Sequence, residues 1–593
     1  MQRTAALTLF LLYLGTAPSI AAPPRYEQGF YGKTLHFSVT SDPKTFNPIL
    51  AQEVSSTDIT NMLFAALIDI DPRTFDLGPG LIERWSMLEQ GRIWEVSLRP
   101  GLRWSDGQPL TTADLAFTFN KIYTQPKLNL EQSVLIFQKP VRLVVLDTLT
   151  ARFHLPDRFG DFLSYLNNLE ILPAHLLDKP AVLDAFENCY TTTTPPAALI
   201  GSGPFVLAEY VPGSHLKLKR NPYYYKRDDY GNQLPYLDGV QVHLTSDQDL
   251  ALLKFTTREL HVFGLRGGDL RGLSYDILRK RQPGADFTIR EAGHSFGSFF
   301  VVFNQNLDLA NAVGTSKTRQ RKIGWFRDVN FRRAIAHAID KRRIITEVMN
   351  GLAVEQHGPL SPSLRSYYFD AVPRYPYDLE KARKLLEKAG FRPEKPHGKL
   401  RDSQGNPLEF DLHTSIHRQD NIKICGIIRE DLERLGLTVN FTPKEFNAVV
   451  TSLTQTSDYD AILVGLTGSR DPYTSRQVWM SSGRMHMWYP LQGKPSTSWE
   501  KEIDDIFEQA MREVDQRRRR ELYNRWQVLA AEYLPFIFTV IPDFLSAGWN
   551  DLGNFDPLPT PFSNALHNLD YIYLKPQKPA AQSTPAQPGP AKP

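Results

Sequence analysis

The sequence predicts an α/β protein of two lobes, and three observations predict it. The chain runs to 593 residues, several times the size of one typical core, so two or more cores are expected. Period-two strand patterns alternate with helix patterns, apolar at every third or fourth position, from about residue 33 to residue 541. An apolar leader and a polar tail bracket this mixed region without belonging to it.

In chain order, the leader comes first. Met1-Gln2-Arg3 supplies positive charge, Ala5 to Leu14 is apolar, and Ser19-Ile20-Ala21 offers the small residues that a signal peptidase reads. Residues 1–21 therefore read as a secretory signal peptide cleaved after Ala21, its apolar run being short for a membrane span. No cysteine stands at the cleavage point, so a lipid anchor is not expected, and no later stretch is apolar enough to cross a bilayer. Cys189 and Cys425 are the two cysteines of the chain, too far apart to read as a disulfide framework. Buried free thiols are expected.

Lys33–Thr40 alternates as a strand and ends at the turn Ser41-Asp42-Pro43. Residues 51–70 read as an amphipathic helix through Ile59, Leu63 and Leu67. Ile93–Leu98 is a strand leading to the Asp106-Gly107 turn, and a helix capped by Thr111 or Thr112 follows through Phe117, Phe119 and Ile122. Residues 201–225 give two strands around Val211-Pro212-Gly213-Ser214. Beyond residue 326 a helix pair, a helix over 379–390 stopped by Gly390, a helix over 421–435, the strand Leu437–Phe441, helices over 499–531 and a buried strand over 536–541 complete the pattern. The tail 577–593 is Pro- and Ala-rich, buries too little to order itself, and is expected to be disordered.

Composition narrows the function classes. The 68 basic and 65 acidic residues leave a net charge of +3, which gives no electrostatic footprint for nucleic acid. The basic runs at 320–322 and 517–520 read as solvated faces. P-loop, H-E-x-x-H and C-x-x-C motifs are absent from the sequence, so neither an ATPase, a zinc enzyme nor a resident cofactor or metal is expected. His337 and His486 read as structural. One motif invites an enzyme reading. Gly293-His294-Ser295-Phe296-Gly297 matches the G-x-S-x-G of a nucleophile elbow, which needs a strand before the serine and a helix after it. Phe287–Arg290 supplies the strand, but Ser298–Asn304 is β-branched and aromatic, a second extended run. A strand-to-strand crossing is the expectation, and a secreted serine hydrolase using Ser295 the alternative.

Four stretches together resemble the large periplasmic solute-binding proteins of peptide-type ABC importers. They are EVSLRPGLRWSDGQPLTTADLAFTF (95–119), GSGPFVLAEYVPGSHLKLKRNPYYY (201–225), FRDVNFRRAIAHAIDKRRIITE (326–347) and YDLEKARKLLEKAGF (377–391). Their order and spacing agree over roughly 33–570. The resemblance implies a Venus-flytrap fold: lobe I from 29–50, 200–292 and 543–576, an accessory subdomain over 51–199, and lobe II over 298–540. It further implies a monomeric periplasmic protein, with no enzymatic activity, that captures a peptide or peptide-like solute and delivers it to a membrane permease. A glycan, a metal chelate or a sensing role on the same fold stays open.

The resemblance also points to the ligand contacts: Ser41 after the first strand, Ser295 and Phe296 at the crossing, and Gly465, Thr467, Gly468, Ser469, Arg470 and Asp471 in the loop after a lobe II strand. In the family that loop often carries a Trp and an Asp, the Asp pairing with a peptide's amino end. Here Leu466 and Ser469 stand at those places. Asp471 either anchors an amine or braces the turn before Pro472, while Arg470 could meet a carboxylate or phosphate.

Overall fold

The computed structural model describes residues 25–576 apart from 52, 129, 266–269, 396–397, 417, 469–470 and 560–564. The expected leader 1–21, the expected disordered tail 577–593, and the candidate residues Ser469 and Arg470 lie outside the described residues. The fold is mixed α/β, as the interleaved patterns require.

The first sheet orders its strands Thr34–Val39, Gly239–Leu244, His215–Arg220 and Phe205–Val211. The first pair is parallel with Leu35 opposite Val240, and the rest are antiparallel. Alternation sorts the side chains: Leu35, Phe37, Leu216, Leu218, Val240 and Val242 bury one face. His36, His215 and His243 take the other, where His36 Nδ1 lies 3.2 Å from His243 Nε2. Nδ1 of His261 accepts from the backbone N of His36 at 2.9 Å. The hairpin between the last two strands turns at Val211-Pro212-Gly213-Ser214, with Gly213 at φ +70°, where glycine carries no steric cost.

A second, antiparallel sheet holds Ile82–Leu88, Ile93–Leu98, Thr150–His154 and Arg142–Val145. Its buried face packs Trp94 and Phe153 on Phe162, with ring centroids 5.2 Å apart in both pairs. Thr111 caps the helix Thr112–Phe117 as a capping box: its hydroxyl accepts from Ala113 N, and Asp114 accepts from Thr111 N at 2.8 Å. Such a cap is worth about 1 kcal/mol.

The helix expected over 51–70 is shorter, Val54–Leu63. Phe64 is extended, and Ile68–Ile70 pairs with Leu77–Pro79 as a strand. The cause is tertiary. The backbone N of Gly203 takes the Leu63 carbonyl at 2.8 Å, and a Cβ on Gly201 would fall 2.1 Å from that same oxygen. Packing against this glycine pair ends a helix that periodicity alone would extend.

The second lobe centres on a five-stranded sheet ordered Thr438–Lys444, Glu409–Ser415, Ala461–Leu466, Ser298–Phe303 and Phe536–Phe538. The first three strands are parallel, and Ser298–Phe303 is antiparallel to both neighbours. Helices cover both faces. Phe331, Ile335, Leu386, Ile424 and Ile428 fill one side, and Trp479, Trp488, Ile503, Phe507 and Trp526 fill the other. Asp328, Asp340, Asp378 and Asp515 cap four of these helices through their carboxylates. His337 donates from Nδ1 to the Pro376 carbonyl at 2.7 Å, and His486 Nδ1 meets the Val478 carbonyl at 3.2 Å. Both are buried, as structural histidines are.

A third sheet joins the lobes. Val540–Trp549 pairs with Val262–Phe263 and Phe287–His294, and its first residues also pair with Ala353–Glu355. Beyond it the chain returns to the first core, which Phe555, Leu566, Ile572 and Leu574, with Phe544 of the strand itself, help to complete. Lys226 Nζ secures this return, 3.2 Å from Asp570 and 3.1 Å from Asp69. One turn recurs three times: Arg103, Arg227 and Arg401 each donate to the carbonyl of the glycine four residues on, Gly107, Gly231 and Gly405.

Candidate functional site

Two strand crossings connect the lobes. The first is Phe287–His294, residues 295–297, then Ser298–Phe303; the second is Phe536–Phe538, Thr539, then Val540–Trp549. They are laced together. Ser295 N donates to the Pro542 carbonyl at 2.8 Å, and Thr539 donates to the Phe299 carbonyl from its backbone N at 2.9 Å and its hydroxyl at 2.8 Å. His294 Nδ1 pairs with Asp543 Oδ1 at 2.6 Å. Ser361 Oγ donates to the Ser295 carbonyl at 2.8 Å.

Ser295 is thus followed by a strand, and the strand-to-helix context of a nucleophile elbow is absent. The two flanking glycines have different reasons. Gly293 has φ +107°, a conformation that L side chains rarely adopt. At Gly297 a Cβ would lie 3.3 Å from the Leu466 carbonyl, a close approach to the neighbouring strand.

The loop after Ala461–Leu466 sits at the carboxyl end of the parallel strands, where open α/β sheets bind ligands. It presses against the crossing. Gly468 has φ +78°, and a Cβ there would fall 2.2 Å from the Phe296 carbonyl oxygen. Phe296 is buried, its ring edge-on to Phe75 at 5.3 Å. Phe296, Leu466 and Gly468, with Phe300, Trp479 and Phe538 among others, line a cavity of about 50 Å³. Gly465 and Thr467 are exposed. Ser41 is exposed on the first lobe, beside Asp42, whose Oδ1 accepts from Tyr210 Oη at 2.7 Å and whose carboxylate takes the Gly213 N. The structure therefore brings Ser295, Phe296, Gly465, Thr467 and Gly468 together at one crossing and leaves Ser41 on the first lobe.

Asp471 has partners inside the protein and is only 8% exposed. Its Oδ1 accepts from Tyr473 N at 2.9 Å, capping the short 3₁₀ turn Pro472–Ser475. Its Oδ2 accepts from Tyr367 Oη at 3.2 Å and lies 3.8 Å from Arg519 Nη2. Arg519 Nη1 reaches Asp161 at 2.6 Å, and its Nη2 donates to Tyr367 Oη at 2.8 Å. Asp161 precedes the helix Phe162–Asn167 of the antiparallel layer, so this cluster spans the two halves of the molecule. Gly160 belongs to the same contact: its N donates to the Met511 carbonyl at 2.9 Å, and a Cβ there would meet the Glu513 carbonyl at 1.9 Å. A second cross-lobe ion pair joins Arg271 and Asp420 at 3.6 Å.

Two members of this constellation escaped the sequence. The run 517–520 reads as a solvated helix face, yet Arg519 is buried; it shares a stripe with Tyr523, Trp526, Gln527 and Ala530 on helix Gln516–Tyr533. That i, i+4, i+7 spacing was the available signal. Asp161 carries no local signal, because its partners lie more than 300 residues away. Among the described residues no group of three or more His, Cys, Asp or Glu is disposed to hold a metal ion, and no helix is long and apolar enough to cross a membrane.

The comparisons with known proteins agree with this architecture. The chain is 25% identical over 560 residues to a probable ABC transporter-binding protein of Deinococcus radiodurans, covering 89% of this chain and 92% of that one. It is 26% identical over 530 residues to the oligopeptide-binding protein AppA of Bacillus subtilis, covering 86% and 87%. The solved structure of that AppA in complex with a nonapeptide superposes with a TM-score of 0.69 at 24% identity, over 93% of this chain and all of that one. The family profile described as bacterial extracellular solute-binding proteins, family 5, middle, matches residues 76–486, well over half of the sequence. The chain belongs to the family 5 bacterial extracellular solute-binding proteins.

Proposed function

We propose that this chain is the extracytoplasmic substrate-binding component of an ABC importer, enclosing a peptide or peptide-like solute between its lobes and delivering it to a membrane permease. The observation that carries this reading is the pair of laced crossings with a ligand-side loop packed on them, in a family whose relatives include an oligopeptide-binding protein. A ligand that favours the closed arrangement shifts the population towards it, and the permease reads the closed form. Ser41, Ser295, Phe296, Gly465, Thr467, Gly468, Ser469 and Arg470 are the proposed contacts. Asp471 is proposed instead as a brace of the loop, because its carboxylate is engaged by Tyr473 N, Tyr367 and Arg519.

The chain is proposed to act in the periplasm as a monomer, exported by residues 1–21, with the lobe boundaries given above and no chemistry at Ser295. Mass spectrometry of the solute that co-purifies with the protein, followed by calorimetry with that solute and with defined peptide pools, tests the reading. A bound peptide or peptide-like molecule is expected, with unchanged identity and no turnover in Ser295→Ala. Hydrolysis by the wild type that Ser295→Ala abolishes would overturn it.

A further inference from the structure

Packing of the antiparallel layer on the second lobe takes two carboxyl groups and one guanidinium out of water. Asp161 is fully buried and the Arg519 side chain is 7% exposed; Asp471 lies beside them. The groups facing Asp161 from the second lobe are Asp471, Arg519, Arg476, Tyr367, Tyr473 and Tyr523. On its own side, Asp157 is turned to Arg512 at 3.2 Å and Arg92 at 3.7 Å. Arg476 lies over the Tyr473 ring at 4.0 Å and is half-buried. The three tyrosines are held neutral by burial. With both carboxyls ionised, the innermost three groups carry one surplus negative charge where burial makes it expensive.

One proton removes that surplus. Asp161 and Asp471 lie 2.6 and 3.8 Å from the same guanidinium, that of Arg519, which can neutralise only one of them, and a proton on the other removes the repulsion between two buried like charges. We propose that Asp161, Asp471 and Arg519 form a proton-loaded clasp, so that closure of the antiparallel layer onto the second lobe takes up one proton. Burial first, and then the charge of Asp471, hold the Asp161 carboxyl well above the usual carboxylate range, Arg519 opposing them. Opening returns Asp161 to water, where its proton leaves below neutral pH.

The sign follows. A group with its pKa raised in the closed state favours that state fully below its open-state pKa, and the advantage is lost as pH rises through the closed-state value. Within that window the closed-to-open ratio falls by up to about tenfold per pH unit. The clasp is independent of what the cleft binds, so it stands apart from the proposed ligand.

Small-angle scattering of the ligand-free protein, followed from about pH 5 to about pH 9, tests it. The wild type is expected to expand as pH rises. Asp161→Asn and Asp471→Asn, each neutral without a proton, are expected to hold one dimension across the range. Asp157→Asn, outside the shared pair, is expected to keep the wild-type curve. Circular dichroism confirms that each variant is folded, and either Asn variant alone suffices. A wild-type curve that matches the Asp161→Asn or Asp471→Asn curve would overturn the proposal, as would a flat curve for Asp157→Asn.

Discussion

The carbonyl oxygen of Phe296 lies 2.2 Å from the point where a Cβ on Gly468 would stand, so the ligand-side loop and the interlobe crossing are packed backbone to backbone. Gly468→Ala must either push the crossing away or distort the loop. It also places a side chain at φ +78°. The left-handed conformation and the overpacking together cost roughly 2–4 kcal/mol. Gly493→Ala is the control: φ is +72° with nothing within 4 Å of the added carbon, so only about 1 kcal/mol of backbone strain is expected. Thermal unfolding of the two variants side by side checks the difference.

Lys226 joins three segments far apart in sequence, its ammonium shared by Asp69 and Asp570. Lys226→Met leaves the Asp570 side chain, 10% exposed, without its cation. Complete burial would put the loss at the top of the range for a broken buried pair; partial exposure reduces it to about 2–3 kcal/mol. Asp570→Asn in the Lys226→Met background is expected to restore part of it. Chemical denaturation of both variants gives the measure.

The histidines gathered around His36 predict a loss of stability in acid. Burial first, then the neighbouring His36, lower His243 and His261 from the ordinary value of 6.5 to about 4. Between those values the unfolded chain binds more protons than the native one, so stability falls as pH drops from about 6.5 towards 4. His243→Gln, unable to charge, is expected to flatten that limb of the profile of melting temperature against pH. An unchanged acid limb would count against it.

Cys189 and Cys425 are both free thiols. Cys425 is fully buried, and burial raises its thiol; Cys189 is half-buried and raised by burial and then by Glu187. A reductant is expected to leave the melting temperature unchanged. A thiol reagent is expected to reach Cys189 slowly and Cys425 only after unfolding.

The periodic features were legible in the sequence. Ile93–Leu98 reads as a strand because apolar residues alternate within those six positions, and the fold keeps those bounds. The Thr111 cap and the strand after Ser295 were legible for the same reason: each is decided by near neighbours. The end of helix Val54–Leu63 was not, because the backbone of Gly201 and Gly203 decides it. Gly468 shows the same limit at the site, since its steric need comes from Phe296, at the crossing between two other strands. The clasp was the least legible part. Asp161 and Arg519 look like ordinary surface charges until the fold sets them 2.6 Å apart.

Strand Val540–Trp549 carries one more consequence. It is the middle strand of the sheet that ties Val262–Phe263 to Phe287–His294, and the residues after it finish the core that Leu35 and Phe37 begin. During synthesis the first lobe therefore cannot close its interior until the residues beyond this strand have been made, although its opening strand, Thr34–Val39, precedes every strand of the second lobe. The second lobe has most of its segments in hand earlier. The interior that is begun first is therefore finished only after the strands of the second lobe have been made.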